Sequence, residues 1–167
     1  MVSRKTLIFT LLICFALASP CMAKQGRPGV DDTVRALVEQ HGKALSAHDL
    51  KGIMDTYAPI DGIILVGTGP GEAYVGEEAI GGAYNQFFNR FEANSLSFKY
   101  DWVYTGSRGD AAWFAVTIGV EGTVNGEKKE RAFNMTGTLL KIKGKWRFVS
   151  NHFSRLGAEQ QVPEKTK

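Results

Sequence analysis

The chain has 167 residues, 44% of them hydrophobic and 22% charged, with a formal net charge of +3 at neutral pH. This length is enough for one domain with a substantial hydrophobic core. The lysines and arginines form no basic stripe, so the sequence predicts no nucleic-acid partner. It contains no internal repeat and no low-complexity tract.

The amino terminus has the three parts of a secretory signal peptide, predicted at residues 1–23. Arg4 and Lys5 supply a positive start, and residues 7–17 form an apolar run that is too short to span a bilayer. Small residues then lead to Ala23, after which we predict cleavage and export to the periplasm or the medium. An uncleaved anchor is the alternative. No second apolar run is long enough to predict a membrane span.

Cleavage at this point removes every cysteine. Cys14 and Cys21 both lie in the predicted signal peptide, which excludes a disulfide, a thiolate nucleophile or a Cys-ligated metal in the mature chain. The net charge falls from +3 to +1, because two basic residues leave with the segment. The remaining chain is predicted to be a mobile leader at 24–31, a folded domain at 32–156 and a polar tail at 157–167.

Three helices are predicted in the first half of the domain. Asp31 or Asp32 is suited to cap the first helix, because a short carboxylate accepts from the amides of a first turn. Asp49 is suited in the same way to cap a second, shorter helix. Residues 77–91 form a third helix with a broad aromatic face. Two short strands, at residues 63–66 and 74–76, are predicted between the second and third helices.

The second half of the domain is predicted to be a meander of four long strands, at residues 96–105, 111–124, 128–142 and 146–154. Asn125-Gly126 is a strong signal for a two-residue hairpin turn. Helices followed by strands indicate an α+β fold. Three helices can cover only one sheet face, so we predict three N-terminal helices packed in a strongly curved, mixed and mainly antiparallel sheet.

This order of elements resembles the SnoaL-like group of the nuclear transport factor 2-like superfamily. The stretches that carry the resemblance are 49–57 (DLKGIMDTY), 69–76 (GPGEAYVG) and 146–154 (WRFVSNHFS). The resemblance implies a cone-shaped, cystatin-like domain with a pocket between the sheet and the helices. It also implies a homodimer formed through the outer sheet face. The superfamily includes ketosteroid isomerases, polyketide cyclases, dehydratases and non-catalytic binding modules, so the fold does not name the function.

The isomerases of the superfamily place a general-base aspartate on the strand after the second helix and a tyrosine donor on the first. Aligned on Asp49 and Tyr57, the base position falls near Val66 and the tyrosine position falls on His41. Proton abstraction needs a base within about 3 Å of the proton. The sequence departs from the isomerase pattern at both positions, so steroid-isomerase chemistry is not expected.

Two residues are candidates for an acid–base pair. His152 lies near the end of the last strand, where a histidine can act as an acid or a base at neutral pH. Glu72 follows a glycine-rich loop that, in the resembled group, borders the pocket mouth. Alternation along the last strand does not decide which face lines the pocket, and the resemblance favours the face of His152. The alternatives are a structural or interface histidine and a solvated loop carboxylate.

The other candidates would give the pocket an aromatic, mostly apolar lining with few polar groups, which suits a small hydrophobic ligand. They are His41, Tyr57, Tyr74, Tyr84 and Trp113. The alternative is that most of these side chains simply belong to the core. His41 and His48 are too far apart along a helix to chelate a metal, so we expect no metal site. We also expect no cofactor.

The sequence therefore predicts an exported, dimeric domain that binds a small apolar molecule. The first alternative is an isomerase, cyclase or dehydratase that uses His152 and Glu72 as its acid–base pair. The second is a structural or protein-interaction domain with a vestigial pocket. Convergence of His152 and Glu72 in one cavity would favour the enzyme, whereas a filled core would contradict both the binding domain and the enzyme.

Overall fold

The computed structural model describes residues 29–157. The predicted signal peptide at 1–23, most of the leader and nearly all of the polar tail lie outside the described residues. Among the helices that are described, none is long and apolar enough to cross a membrane.

The helices of the described chain are α1 (Val30–Ser46), α2 (Leu50–Met54) and α3 (Glu77–Phe88). Gly29 occupies the N-cap of α1, so the prediction that Asp31 or Asp32 caps this helix is wrong. Both carboxylates lie instead in the first turn, where they interact favourably with the helix dipole. The predicted cap of α2 is confirmed, because Asp49 Oδ1 accepts from the amide of Gly52 at 2.8 Å.

The strands are β1 (Ile64–Val66), β2 (Ala73–Val75), β3 (Ser97–Arg108), β4 (Ala111–Val124), β5 (Glu127–Ile142) and β6 (Lys145–Arg155). They form one six-stranded sheet in the order β2-β1-β6-β5-β4-β3. Only the β1–β6 pair is parallel, so the sheet is mixed and mainly antiparallel, as predicted. Asn125 and Gly126 join β4 to β5 with φ angles of 53° and 76°, which a type I′ hairpin turn requires.

The hydrophobic core lies between the helices and one face of the sheet, which we call the inner face. Val38 of α1, Ile80 of α3 and Phe148 of β6 are at most 2% exposed and belong to one cluster. The opposite, outer face carries large exposed side chains, among them Tyr104 and Trp113. The helices therefore cover only one side of the sheet.

One extra residue interrupts the alternation of side chains along β6. Leu139 pairs with Phe148 and Thr138 pairs with Ser150, which leaves Val149 without a partner, as a β-bulge. Because side chains alternate between faces, the unpaired residue reverses the parity of every later position in the strand. The bulge thus decides which side chains of β6 reach the inner face near the end of the strand.

Candidate ligand-binding cavity

A cavity of about 440 Å³ lies between the helices and the inner face of the sheet. This volume is in the range of small-molecule sites. Most of the lining is apolar and includes Val38 and Leu45 of α1, Phe98 of β3, Ile118 of β4, and Phe133 and Met135 of β5. The core is therefore not filled, and the cavity offers an apolar surface to a ligand.

Four buried side chains form one hydrogen-bonded series at the cavity wall, which we call the polar chain: His41, Tyr84, Tyr57 and Asn151. His41 Nε2 lies 2.8 Å from Tyr84 Oη, which lies 3.0 Å from Tyr57 Oη. Asn151 Nδ2 donates to Tyr57 Oη at 3.1 Å. His41 and Tyr84 also line the cavity. The four residues come from α1, α3, the segment after α2, and β6, so the tertiary fold assembles the polar chain.

One bond of the polar chain has a fixed direction, because the amide nitrogen of Asn151 can only donate to Tyr57. Each tyrosine hydroxyl can donate once and also accept, so either tyrosine can be the donor in the bond between Tyr57 and Tyr84. His41 Nε2 accepts from Tyr84 or donates to it according to the tautomer of the imidazole. The polar chain can therefore present either a donor or an acceptor at the cavity wall.

The polar chain carries no charge at neutral pH. Desolvation by burial lowers the pKa of His41 from 6.5 to about 4. Burial also raises the pKa of Tyr57 to about 12 and raises that of Tyr84 well above its ordinary value. The buried polar part of the cavity wall is thus neutral and offers hydrogen bonds rather than charge.

A glycine makes room for the last member of the polar chain. Gly137 of β5 is in register with Asn151. A Cβ at Gly137 would lie 2.7 Å from Asn151 Oδ1 and 2.6 Å from the ring of Phe114. Any larger residue at this position would therefore displace Asn151, the buried donor to Tyr57.

The open side of the cavity is bordered by four exposed cationic side chains, which we call the basic rim. They are Arg90, which follows α3, Lys129 and Arg131 of β5, and Arg155 of β6. Arg155 faces this side because it lies beyond the bulge in β6. The cavity therefore has an apolar interior and a positively charged opening.

Glu72 borders the cavity. Its Oε2 atom accepts from the amides of Thr68 and Gly69 at 2.7 Å and 2.8 Å, so the carboxylate closes its own loop. The geometry therefore assigns Glu72 a structural task in the loop between β1 and β2.

Within residues 29–157, no three His, Cys, Asp or Glu side chains are grouped to hold a metal ion.

The structure does not bring the predicted acid–base pair together. His152 is exposed on the outer face, in register with Thr136 of β5 and Val66 of β1, and does not line the cavity. The expectation that its face lines the cavity is wrong, because the bulge at Val149 reverses the parity of the strand. His152 and Glu72 therefore do not converge in one cavity.

The predicted aromatic residues have different positions. His41 and Tyr84 line the cavity, and Tyr57 lies one hydrogen bond behind them. Tyr74 packs half-buried against the core, outside the lining. The prediction that Trp113 lines the cavity is wrong: it is 42% exposed on the outer face, because its neighbours in β4 occupy the inner face.

Sequence reasoning missed Asn151 and the basic rim. Alternation along β5 places Lys129 and Arg131 on the same face as the buried Met135, and this period of two could have indicated them. Asn151 and Arg155 carried no comparable signal, because their orientation depends on a bulge that no local motif marks.

The SnoaL-like domain family matches residues 34–158. One similar solved structure is a Xanthomonas campestris protein proposed to be a calcium/calmodulin dependent protein kinase II association domain. Its TM-score is 0.68 at 24% sequence identity, and the match covers 78% of this chain and 91% of that chain. A ketosteroid isomerase-like protein from Erwinia carotovora atroseptica has a TM-score of 0.61 and 20% identity, with 75% and 95% coverage.

A proposed dehydratase of the NTF2-like family from Streptomyces avermitilis has a TM-score of 0.64 and 16% identity, and the match covers 77% of this chain and 97% of that one. No protein of curated function matches the chain. At these identities the solved structures establish the fold but not the activity. The family match extends over most of the chain, and the protein belongs to the SnoaL-like domain family, with the nuclear transport factor 2-like fold.

Proposed function

We propose that this protein is a binding domain that holds a small, mostly apolar molecule in the cavity. The observation that carries the proposal is the cavity itself, with a volume of about 440 Å³ and a largely apolar lining. Binding sites for small molecules typically combine such a lining with a few well-placed polar groups. His41 and Tyr84 are the buried polar groups of this lining. A vestigial pocket would not need to keep this volume open.

Because the polar chain is neutral, it favours a ligand whose inner end is uncharged. His41 is neutral at physiological pH, because burial lowers its pKa to about 4. An ionised group beside His41 and Tyr84 would lose its hydration without gaining an opposite charge, which is costly. A hydroxyl, a carbonyl or a purely apolar end is therefore the part of a ligand that fits deepest in the cavity.

The enzyme alternative has less support. Its acid–base pair is His152 and Glu72, but His152 lies on the outer face and the Glu72 carboxylate holds its own loop. The named isomerase-like and dehydratase relatives share at most 20% of their residues with this chain. Their names alone do not carry an activity to this protein.

A blocked cavity tests the binding proposal. Val120 lines the cavity from β4, whereas Val103 of β3 is 70% exposed on the outer side. The probe is N-phenylnaphthylamine, an uncharged molecule whose fluorescence rises in apolar surroundings. We expect saturable binding to the native protein, a loss of affinity of about tenfold or more in Val120→Trp, and a change below about twofold in the matched control Val103→Trp.

Circular dichroism spectra verify that each variant is folded. Native mass spectrometry of the protein purified from its host complements the titration by revealing a co-purified ligand. An absence of saturable binding to the folded native protein would contradict the proposal. Equal affinity in Val120→Trp and native protein would place the probe outside the cavity and contradict it as well.

We also propose that residues 1–23 direct export and are removed. The proposal rests on the basic start, the short apolar run and the small residues before Ala23. The intact mass of the protein recovered from its host tests it. A mass corresponding to a chain that starts at Lys24 is expected, and a mass that retains the first 23 residues would contradict cleavage.

A second copy of this chain is the partner we propose for the outer face. Tyr104, Trp113 and Leu140 are 61%, 42% and 37% exposed on neighbouring strands of this face, and a twofold pair would cover them. We expect light scattering to show a dimer that Trp113→Arg converts to a monomer. Val75→Arg, at an exposed valine of β2, is the matched control and leaves the dimer intact. A native monomer would contradict the proposal.

A further inference from the structure

We propose that the ligand is an amphipathic anion, with its apolar body in the cavity and its charged group at the arginines of the basic rim. The inference rests on the proposed function, because it specifies the chemical class of the molecule bound in the same cavity. It is carried by Arg90, Arg131 and Arg155, which border the cavity together with its apolar lining.

The positive charge at the cavity is local and does not reflect the overall composition. Residues 29–157 contain 14 lysines and arginines and 15 aspartates and glutamates, so the described domain is almost neutral. The lining of the cavity nevertheless contains four cationic side chains and a single carboxylate, that of Glu72. Cations therefore outnumber carboxylates around the cavity, although the described domain as a whole is almost neutral.

The three arginines of the basic rim form no ion pair among the described residues, and Arg131 Nη1 donates one hydrogen bond, to the carbonyl of Glu130 at 2.9 Å. The ion pairs among the described residues are Lys51–Asp55 and Lys129–Glu127, so the fourth rim cation already has a carboxylate partner and the arginines have none there. The Glu72 carboxylate accepts hydrogen bonds from two backbone amides and forms no ion pair with a described arginine. An anion that reaches the rim would therefore not have to displace an existing ion pair of an arginine.

The arginines approach the opening from two sides. Arg155 of β6 is in register with Phe133 of β5, and Arg131 lies two positions from Phe133 on the same face of that strand. Arg90 comes from the helical side, just after α3, with Cζ 5.8 Å from the centre of the Phe87 ring. Phe133 and Phe87 belong to the apolar lining, so each side of the opening places a guanidinium next to an apolar surface.

Guanidinium groups suit this task chemically. Arginine presents a planar set of donors that binds a carboxylate, sulfonate or phosphate in bidentate fashion and stays charged at any physiological pH. The interior offers no such group, because the polar chain is neutral. The two ends of the cavity therefore select one orientation, in which the apolar end enters first and the anionic group remains at the rim.

A matched pair of probes tests the inference. Anilinonaphthalene sulfonate and its uncharged parent, N-phenylnaphthylamine, share the same aromatic skeleton and differ in the sulfonate. We expect the native protein to bind the anion about tenfold more tightly than the neutral probe at low salt. The preference should decrease between roughly 50 mM and 500 mM salt, because exposed charges are screened. Displacement of the bound probe by decanoate and by decanol repeats the comparison of an anion with a neutral molecule, using aliphatic ligands.

Charge-neutralising variants locate the preference. The double variant Arg131→Gln/Arg155→Gln should lose about tenfold in affinity for the anion and change less than about twofold for the neutral probe. Arg108→Gln removes an exposed arginine at the turn between β3 and β4, outside the cavity, and should change neither affinity.

The outcomes separate the two proposals. If the native protein binds both probes equally and the double variant alters neither affinity, the anionic class is wrong while the binding cavity stands. If Arg108→Gln weakens anion binding as much as the double variant, the preference is a general surface effect and the inference is also wrong. If neither probe binds the native protein, the proposed function itself fails, and this inference fails with it.

Discussion

The two polar regions of the cavity, the polar chain and the basic rim, are built in opposite ways. The members of the polar chain are between 0 and 5% exposed, neutral, and hydrogen-bonded to one another across four parts of the fold. The members of the rim are exposed and charged, and its arginines have no carboxylate partner among the described residues. From this comparison we expect changes in the polar chain to affect the stability of the fold, and changes in the rim to leave it almost unaltered.

The largest effect on stability is expected from the pH dependence of His41. Its pKa is lowered from 6.5 to about 4, so between these pH values the unfolded state binds a proton that the folded state does not. The stability contribution is complete above about pH 6.5 and is lost as the pH falls towards 4. We expect the native protein to lose about 3 kcal/mol relative to His41→Gln over this interval.

Urea unfolding of both proteins near pH 7.5 and near pH 4.5 measures this difference, and the comparison with His41→Gln cancels the titration of other groups. If both proteins lose the same stability between the two pH values, His41 is not the group responsible. The polar chain would then not be a neutral, buried unit.

A smaller loss is expected when one link of the polar chain is removed. Tyr84→Phe leaves His41 Nε2 and the Tyr57 hydroxyl without their shared partner, and buried groups left unsatisfied cost about 2 kcal/mol in all. The matched control is Tyr104→Phe, at a tyrosine that is 61% exposed, for which a change below about 0.5 kcal/mol is expected. Urea unfolding at neutral pH compares the two. Equal effects would show that the hydrogen bonds of Tyr84 do not support the fold.

The smallest effect on stability is expected at the basic rim. Arg155→Gln changes an exposed side chain that pairs with no carboxylate among the described residues, so the free energy of unfolding should change by less than about 0.5 kcal/mol. The same urea titrations test this. A loss comparable to that of Tyr84→Phe would remove the distinction between the two regions.

Much of the fold could be predicted because its signals are local. Asp49 at the start of α2 and Asn125-Gly126 between β4 and β5 act through their own backbone neighbours. Hydrophobic periodicity then distinguishes helices from strands over a few turns or residues. These features need no knowledge of distant contacts. The structure contains the predicted cap, the predicted turn and the predicted order of elements.

The candidate site could be predicted only in part. His41 and Tyr84 lie on helix faces whose periodicity points to the core, and both line the cavity. Trp113 is a large aromatic residue in a buried strand, yet it faces outward because both of its neighbours pack inward. The orientation of His152 depends on a bulge that is set by the packing of β6 against β5 and β1, and the local sequence does not reveal it.

The bulge at Val149 also affects how residue roles can be transferred between members of the family. In a relative with the same number of residues in this strand but no bulge, the position that matches His152 lies opposite the position of Met135 and faces the cavity, and the position that matches Asn151 faces outward. In a relative that lacks the bulged residue itself, alternation is regular from Phe148 onward, and both positions keep the faces that they have here. A residue role can therefore be transferred along this strand only when its pairing with the neighbouring strand is known.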